Sequence, residues 1–210
     1  MAVDGPAGSG KSSVSKAAAR SLGFGYLDTG AGYRALTLTG LQQGLALADL
    51  GNTNLAELFD YSISTDPAEY WVKISGTDVT DEIRSEAVEL NVSKVASQPA
   101  VRTFMRELTR GLANSCEKKG IIVEGRDITT VVFPDAKVRV LLTASEEVRL
   151  SRRSIDLSGN GQLSAQLSDR DKKDSKVVDF LNPAPGVLLL DTTEMSFDES
   201  VAELVAIIGR

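Results

Sequence analysis

Histidine is absent from all 210 residues, which removes the commonest general base, the commonest proton shuttle and the usual nitrogen ligand of zinc. Cysteine occurs once, as Cys116, so no internal disulfide can form. That residue falls within a helical pattern and reads as a small buried apolar group in a chain kept in a reducing cytoplasm. No apolar run approaches membrane-spanning length, and the first residues carry neither a basic stretch nor a signal-like apolar one. An excess of positive charge is missing too. With 23 Lys and Arg against 29 Asp and Glu the formal charge is −6, which disfavours polyanions such as nucleic acid polymers as partners. Any anion site must therefore be a local basic pocket. What remains is ordinary globular composition, 42% hydrophobic and 25% charged, in a chain long enough for one sizeable core with a small inserted subdomain.

The most informative stretch is Gly5-Pro6-Ala7-Gly8-Ser9-Gly10-Lys11-Ser12, followed by Ser13, which matches the P-loop pattern G-x-x-x-x-G-K-[ST]. Glycines let the backbone curl so that successive N–H groups point inward. Lys11 is placed to reach β- and γ-phosphates, Ser12 to ligand Mg²⁺, and the following helix adds the partial positive charge of its N-terminus. The context fits, since Ala2-Val3 reads as the end of a strand and Val14, Ala17, Ala18 and Leu22 recur at helical spacing before Gly23. The ligand expected is a nucleoside triphosphate, ATP in the first instance.

Apolar runs at Gly25 to Leu27, Ile121 to Val123, Val138 to Leu142 and Val187 to Leu190 alternate with helical patterns. This predicts an α/β fold, a parallel sheet flanked by helices. Pro99, Val101, Phe104, Met105, Leu108 and Leu112 make a long amphipathic helix that Lys118-Lys119-Gly120 should end, and Ser196 with Glu199 forms a capping box for a last helix ending near Ile208. From about Leu55 to Glu89 the alternation breaks: Tyr70 to Ile74 has period two, Gly76 turns the chain, and a small antiparallel insert is expected. The organisation read from this is a single domain, with a core at 1–50 and 96–210, an insert at about 51–95 and a lid at about 145–175.

Three further constellations carry charge, the first two of them at the carboxyl ends of strands, where open α/β sheets bind ligands. Asp28-Thr29-Gly30-Ala31-Gly32-Tyr33-Arg34 supplies a carboxylate, a hydroxyl, an aromatic ring and a guanidinium suited to a two-pronged grip on phosphate. Glu124-Gly125-Arg126-Asp127 supplies an acid that can hold Mg²⁺ through water and an arginine over the same sheet edge. Arg149, Arg152 and Arg153 share one helix face ahead of the glycine-containing tip Ser158 to Gly161, and a second helix then carries Arg170 to Asp174. Two helices joined by such a tip predict a lid whose arginines, Arg149, Arg152 and Arg153 among them, close over the phosphoryl group in flight. A phosphate acceptor, already ionised near neutrality, would need no enzymic base, which accommodates the missing histidine.

The P-loop, Asp28 through Arg34, Val92-Ser93-Lys94-Val95-Ala96 through Arg102, Glu124 through Asp127 with Phe133 to Ala136, Arg170 to Ser175 and Leu190 to Thr193 stand in one order. In that combination, over essentially the whole length, the chain resembles the bacterial cytidylate kinases. The resemblance implies the nucleoside-monophosphate-kinase fold, with an enlarged monophosphate-binding insert and a helical lid, and transfer of the ATP γ-phosphoryl group to CMP and dCMP. It implies Ser93, Arg102 and Asp127 at the cytosine edge, Thr29 and Asp174 at the sugar with Tyr33 beside it, and Arg34, Arg126 and Arg170 on the acceptor phosphate. Lys11 and Arg126 join Arg153 and Arg170 as catalytic groups, and Asp28 supports the acceptor shell. A monomer in the cytoplasm is expected, with Mg²⁺ on Ser12. The sequence departs from the family at Thr129, where glycine is usual, at Gly32, where a larger apolar residue is usual, and after Asp174, where Ser175-Lys176-Val177 lacks a further arginine.

Two other readings stand beside this one. A P-loop kinase for another small acceptor, a different nucleotide or a hydroxy-acid, would draft Asp28 as base. A non-catalytic nucleotide-binding module or GTPase-like switch would need a guanine reader, and no N-K-x-D motif occurs.

Overall fold

Three buried residues make up the first strand, β1 (Ala2–Asp4), which is short yet lies in the middle of a sheet. The computed structural model describes residues 1–156 and 182–209. Its contacts divide the chain into two compact units, Met1–Tyr26 with Lys118–Arg210, and Leu27–Glu117.

The first unit is built on a five-stranded sheet in the order β2-β6-β1-β7-β8, where β2 is Gly25–Asp28, β6 Ile121–Gly125, β7 Arg139–Thr143 and β8 Leu188–Asp191. β1 pairs in parallel with β6 and with β7, and β7 in parallel with β8. Ile122, Val123, Val140, Leu141 and Leu142 are all buried, the unbroken apolar reading of strands covered on both faces. Helix α1 (Lys11–Leu22) buries Val14, Ala18 and Ala19 and packs on the C-terminal helix Phe197–Ile208. Gly23, at φ 64°, ends α1 by returning its N–H to the carbonyls of Ala19 and Arg20. The capping box expected at Ser196 and Glu199 is present.

The second unit joins helix α2 (Thr29–Gln42), the short helix α3 (Leu55–Leu58), an antiparallel sheet β3-β4-β5 (Tyr61–Ile63, Val72–Ile74, Thr77–Asp78), and helices α4 (Glu86–Ala96) and α5 (Pro99–Asn114). Its core gathers Leu36, Leu50, Phe59, Val72, Ile83, Val95 and Met105. Ile74 pairs with Thr77 across a two-residue turn in which both Ser75 (φ 49°) and Gly76 (φ 76°) are left-handed, the geometry that matches strand twist.

One boundary differs from the sequence reading. α5 stops at Asn114, where the Ser115 hydroxyl donates to the Leu112 carbonyl and its N–H to Gly111. Cys116 therefore lies beyond the helix and is only half-buried. Gly120 is not a helix cap: a Cβ there would stand 2.8 Å from the Phe24 ring, so its missing side chain serves close packing.

Candidate functional site

In the first unit the P-loop runs from the end of β1 into α1, and its curl is enforced from outside. A Cβ on Gly5 would lie 2.1 Å from the Leu142 carbonyl oxygen, and Gly8, at φ 74°, would meet the Arg149 carbonyl at 2.5 Å. Gly10 takes φ 86° as the N-cap of α1. Lys11 opens the helix, and Ser12 and Ser13 are exposed in its first turn. The Ser9 hydroxyl is buried and has no hydrogen-bond partner among the described residues.

Glu124, from the end of β6 and 2% exposed, gathers the polar groups beside this loop. Its Oε1 accepts from the Ser12 hydroxyl at 2.7 Å and from the Tyr26 hydroxyl at 3.2 Å, while Oε2 is 3.9 Å from Lys11 Nζ. Arg126 and Asp127 follow on the turn after β6, both half-buried. Among the described residues no group of three or more His, Cys, Asp or Glu could hold a metal ion. Magnesium, however, binds through one or two protein oxygens plus substrate phosphates, and the Ser12 hydroxyl beside the Glu124 carboxylate is a donor pair of that kind.

The arginine helix α6 (Glu146–Asp156) is read differently by the structure than by the sequence. Arg149 donates to the Ala7 carbonyl at 3.1 Å; Arg152 donates to the Ser9 carbonyl at 3.1 Å and to Thr192 at 2.9 and 3.0 Å. These two guanidinium groups brace the P-loop through its carbonyls. Arg153 lies in α6, but its side chain, Arg170 and Asp174 lie outside the described residues, as does most of the expected lid.

In the second unit Asp28 is the N-cap of α2. Its Oδ1 accepts from Ala31 N at 3.1 Å, and its Oδ2 from Arg34 at 2.9 Å and from the Tyr70 hydroxyl at 3.3 Å. Burial and then the Asp28 charge push the Tyr70 hydroxyl up to about 12, and the same two causes raise Tyr61 well above the usual range. Arg84 stands over the Tyr70 ring at 5.9 Å. Thr29 is buried at the start of α2, with Tyr33 and Arg34 one turn on. Ser93 and Arg102 are half-buried on α4 and α5, two helices that pack together. Gly32 lets Met105 fill the space beside α2, since a Cβ there would lie 2.5 Å from Met105 Cε.

Sequence reasoning passed over Tyr26, Tyr70 and Asp4, and reads Arg149 and Arg152 as lid groups closing over the phosphoryl, whereas both are held on the carbonyls of Ala7, Ser9 and Thr192. Tyr26 could have been found from its place in a buried strand, where a hydroxyl needs a partner. Asp4 could have been found as a carboxylate at the end of a central strand.

The family model for cytidylate kinase matches residues 1–210. A cytidylate kinase of Rhodococcus opacus is 44% identical over 218 residues, covering 100% of this chain and 94% of that protein. One from Pelotomaculum thermopropionicum is 41% identical over 215 residues, covering 98% and 94%. A bifunctional pantoate ligase/cytidylate kinase of a Synechococcus species is 41% identical over 98% of this chain, which corresponds to 39% of that longer protein.

Proposed function

The chain belongs to the cytidylate kinase family, and on that premise we propose how its residues carry ATP-dependent phosphoryl transfer to CMP and dCMP. The observation that carries the reading is the Glu124 carboxylate, which holds the Ser12 hydroxyl at 2.7 Å and has Lys11 at 3.9 Å. The P-loop N–H groups cradle the ATP phosphates, and Lys11 offsets the charge that builds between the β- and γ-positions. Ser12, with Glu124 through water, would hold Mg²⁺, which supplies charge neutralisation across the same oxygens.

The acceptor phosphate needs no base, because its second pKa is about 6. Arg34, Arg126 and Arg170 fix and neutralise it, and Arg153 with Arg170 spreads positive charge over the transferring group. At the base, Asp127 accepts from the exocyclic amino group of cytosine, Arg102 donates to N3 and O2, and Ser93 completes the edge. Uracil would set a carbonyl against the Asp127 carboxylate, a lone-pair conflict that rejects UMP. Thr29 and Asp174 hold the sugar, with Tyr33 beside it. Asp28 is a support and not a base, since Ala31, Arg34 and Tyr70 all donate to it; this disfavours a hydroxyl acceptor.

We read residues 51–95 as the monophosphate insert, 145–175 as the lid, and the rest as core, in a cytoplasmic monomer. No helix among the described residues is long and apolar enough to cross a membrane. Asp127→Ala and Arg102→Ala should raise the KM for CMP by about 10-fold or more, each removing a charged hydrogen bond, with ATP binding kept. Lys11→Ala should abolish turnover while CMP still binds. Equal losses for both nucleotides in steady-state and binding assays would contradict the assignment.

A further inference from the structure

We propose that Asp4 is a positioning residue for the acceptor: it clamps the Arg126–Asp127 turn to the strand that feeds the P-loop, with the Thr129 hydroxyl as part of the clamp. The inference rests on the reading above that Arg126 and Asp127 bind CMP.

Asp4 is the last residue of β1, directly before Gly5, and only 3% exposed. Its backbone is in register with Gly125 of β6. Its Oδ1 accepts from Ile128 N at 2.8 Å, and its Oδ2 from Thr129 N at 2.8 Å and from the Thr129 hydroxyl at 2.5 Å. The chain thus leaves Asp4 at Gly125 and returns to the same residue at Ile128. Between those two anchors stand only Arg126 and Asp127.

The far side of the turn is equally fixed. The Asp127 carbonyl accepts from Val131 and Val132, and the Thr129 carbonyl accepts from Arg139 at 3.2 Å. Burial, the largest cause, raises the pKa of Asp4, its three donors lower it, and the charge of Asp127 adds to the net rise. A buried carboxylate that no reaction step uses is a costly way to fill space, and its three donors all belong to the segment after Asp127. Glycine at 129, which the family resemblance leads one to expect, would keep the N–H bond and lose the hydroxyl. The third bond therefore belongs to this chain.

The test uses the full chain, with Thr129→Val to remove the hydroxyl at equal volume, Thr129→Ser to restore it, and Asp4→Asn. Thr129→Val should raise the KM for CMP about five- to tenfold, a fraction of what one hydrogen bond to a charged group is worth because the two backbone bonds to Asp4 remain, with the KM for ATP within about twofold. The preference for CMP over UMP, as a ratio of kcat/KM, should fall by a similar factor, and Thr129→Ser should recover both. Asp4→Asn should shift the same quantities further; should it fail to fold by circular dichroism, the Thr129 pair decides alone. Unchanged CMP affinity and base preference in Thr129→Val, or equal losses for ATP and CMP, would overturn the proposal. Asp127→Ala separates the two levels: if it leaves CMP use intact, the assignment of the base edge falls and this inference with it.

Discussion

Gly5 and Gly32 lack a side chain for different reasons, and substitution should separate them. At Gly5 an added methyl meets the Leu142 carbonyl oxygen at 2.1 Å, a backbone atom held in the sheet. Gly5→Ala should therefore distort the P-loop, costing about 1–3 kcal/mol of stability and most of the ATP affinity. At Gly32 the obstacle is Met105 Cε at 2.5 Å, the free end of a flexible side chain. Gly32→Ala should be near neutral, because the gain in helix propensity of about 1 kcal/mol offsets the shift of Met105. Chemical denaturation of both variants, with ATP binding for the first, checks the contrast. Tyr26 adds a third case at this scale. Removing its hydroxyl leaves the buried Glu124 with one donor fewer, so Tyr26→Phe should cost about 1–2 kcal/mol and loosen the carboxylate that gathers Ser12 and Lys11.

At the scale of elements, the C-terminal helix shows how far local sequence reaches. Ser196 and Glu199 exchange hydrogen bonds at 2.8 and 3.3 Å, and the Ser196 N–H is the first cause that holds the Glu199 carboxyl below its usual 4.5. A depressed carboxyl stabilises the folded state above its ordinary pKa, and that contribution is lost as the pH falls through the folded value. Thermal melts of wild type and Glu199→Ala should therefore differ at neutral pH and converge in acid. Ser196→Ala should cost about 1 kcal/mol. Such caps, the strand runs and the P-loop are legible because their signals lie within a few residues of one another. α5 was read too long because the Ser115 hydroxyl competes for a helix carbonyl, a short-range contact that apolar spacing does not carry. The brace formed by Arg149 and Arg152 was not legible, since their partners Ala7 and Ser9 lie more than 140 residues away in sequence. Periodicity places both arginines on one face of α6 without saying what that face meets. Asp4 was hidden similarly, as nothing local ties it to Thr129.

For the whole molecule the absence of histidine, with which the sequence is first met, becomes part of the mechanism. Phosphoryl transfer to an ionised phosphate asks for alignment and positive charge, and on the proposed reading a chain of net charge −6 supplies these through arginines and Lys11 placed singly. No catalytic group with a pKa near neutrality is then needed on the enzyme itself. The kcat at saturating nucleotides should stay flat from about pH 7 to 9, with any fall below that range following the second ionisation of the acceptor phosphate, near 6. The most direct measurement is ATP-dependent diphosphate formation by the purified chain with magnesium, across CMP, dCMP, UMP and AMP. CDP and dCDP should form at the highest kcat/KM, with UMP and AMP well behind. ATP binding with no CMP turnover, or UMP used as well as CMP, would contradict this.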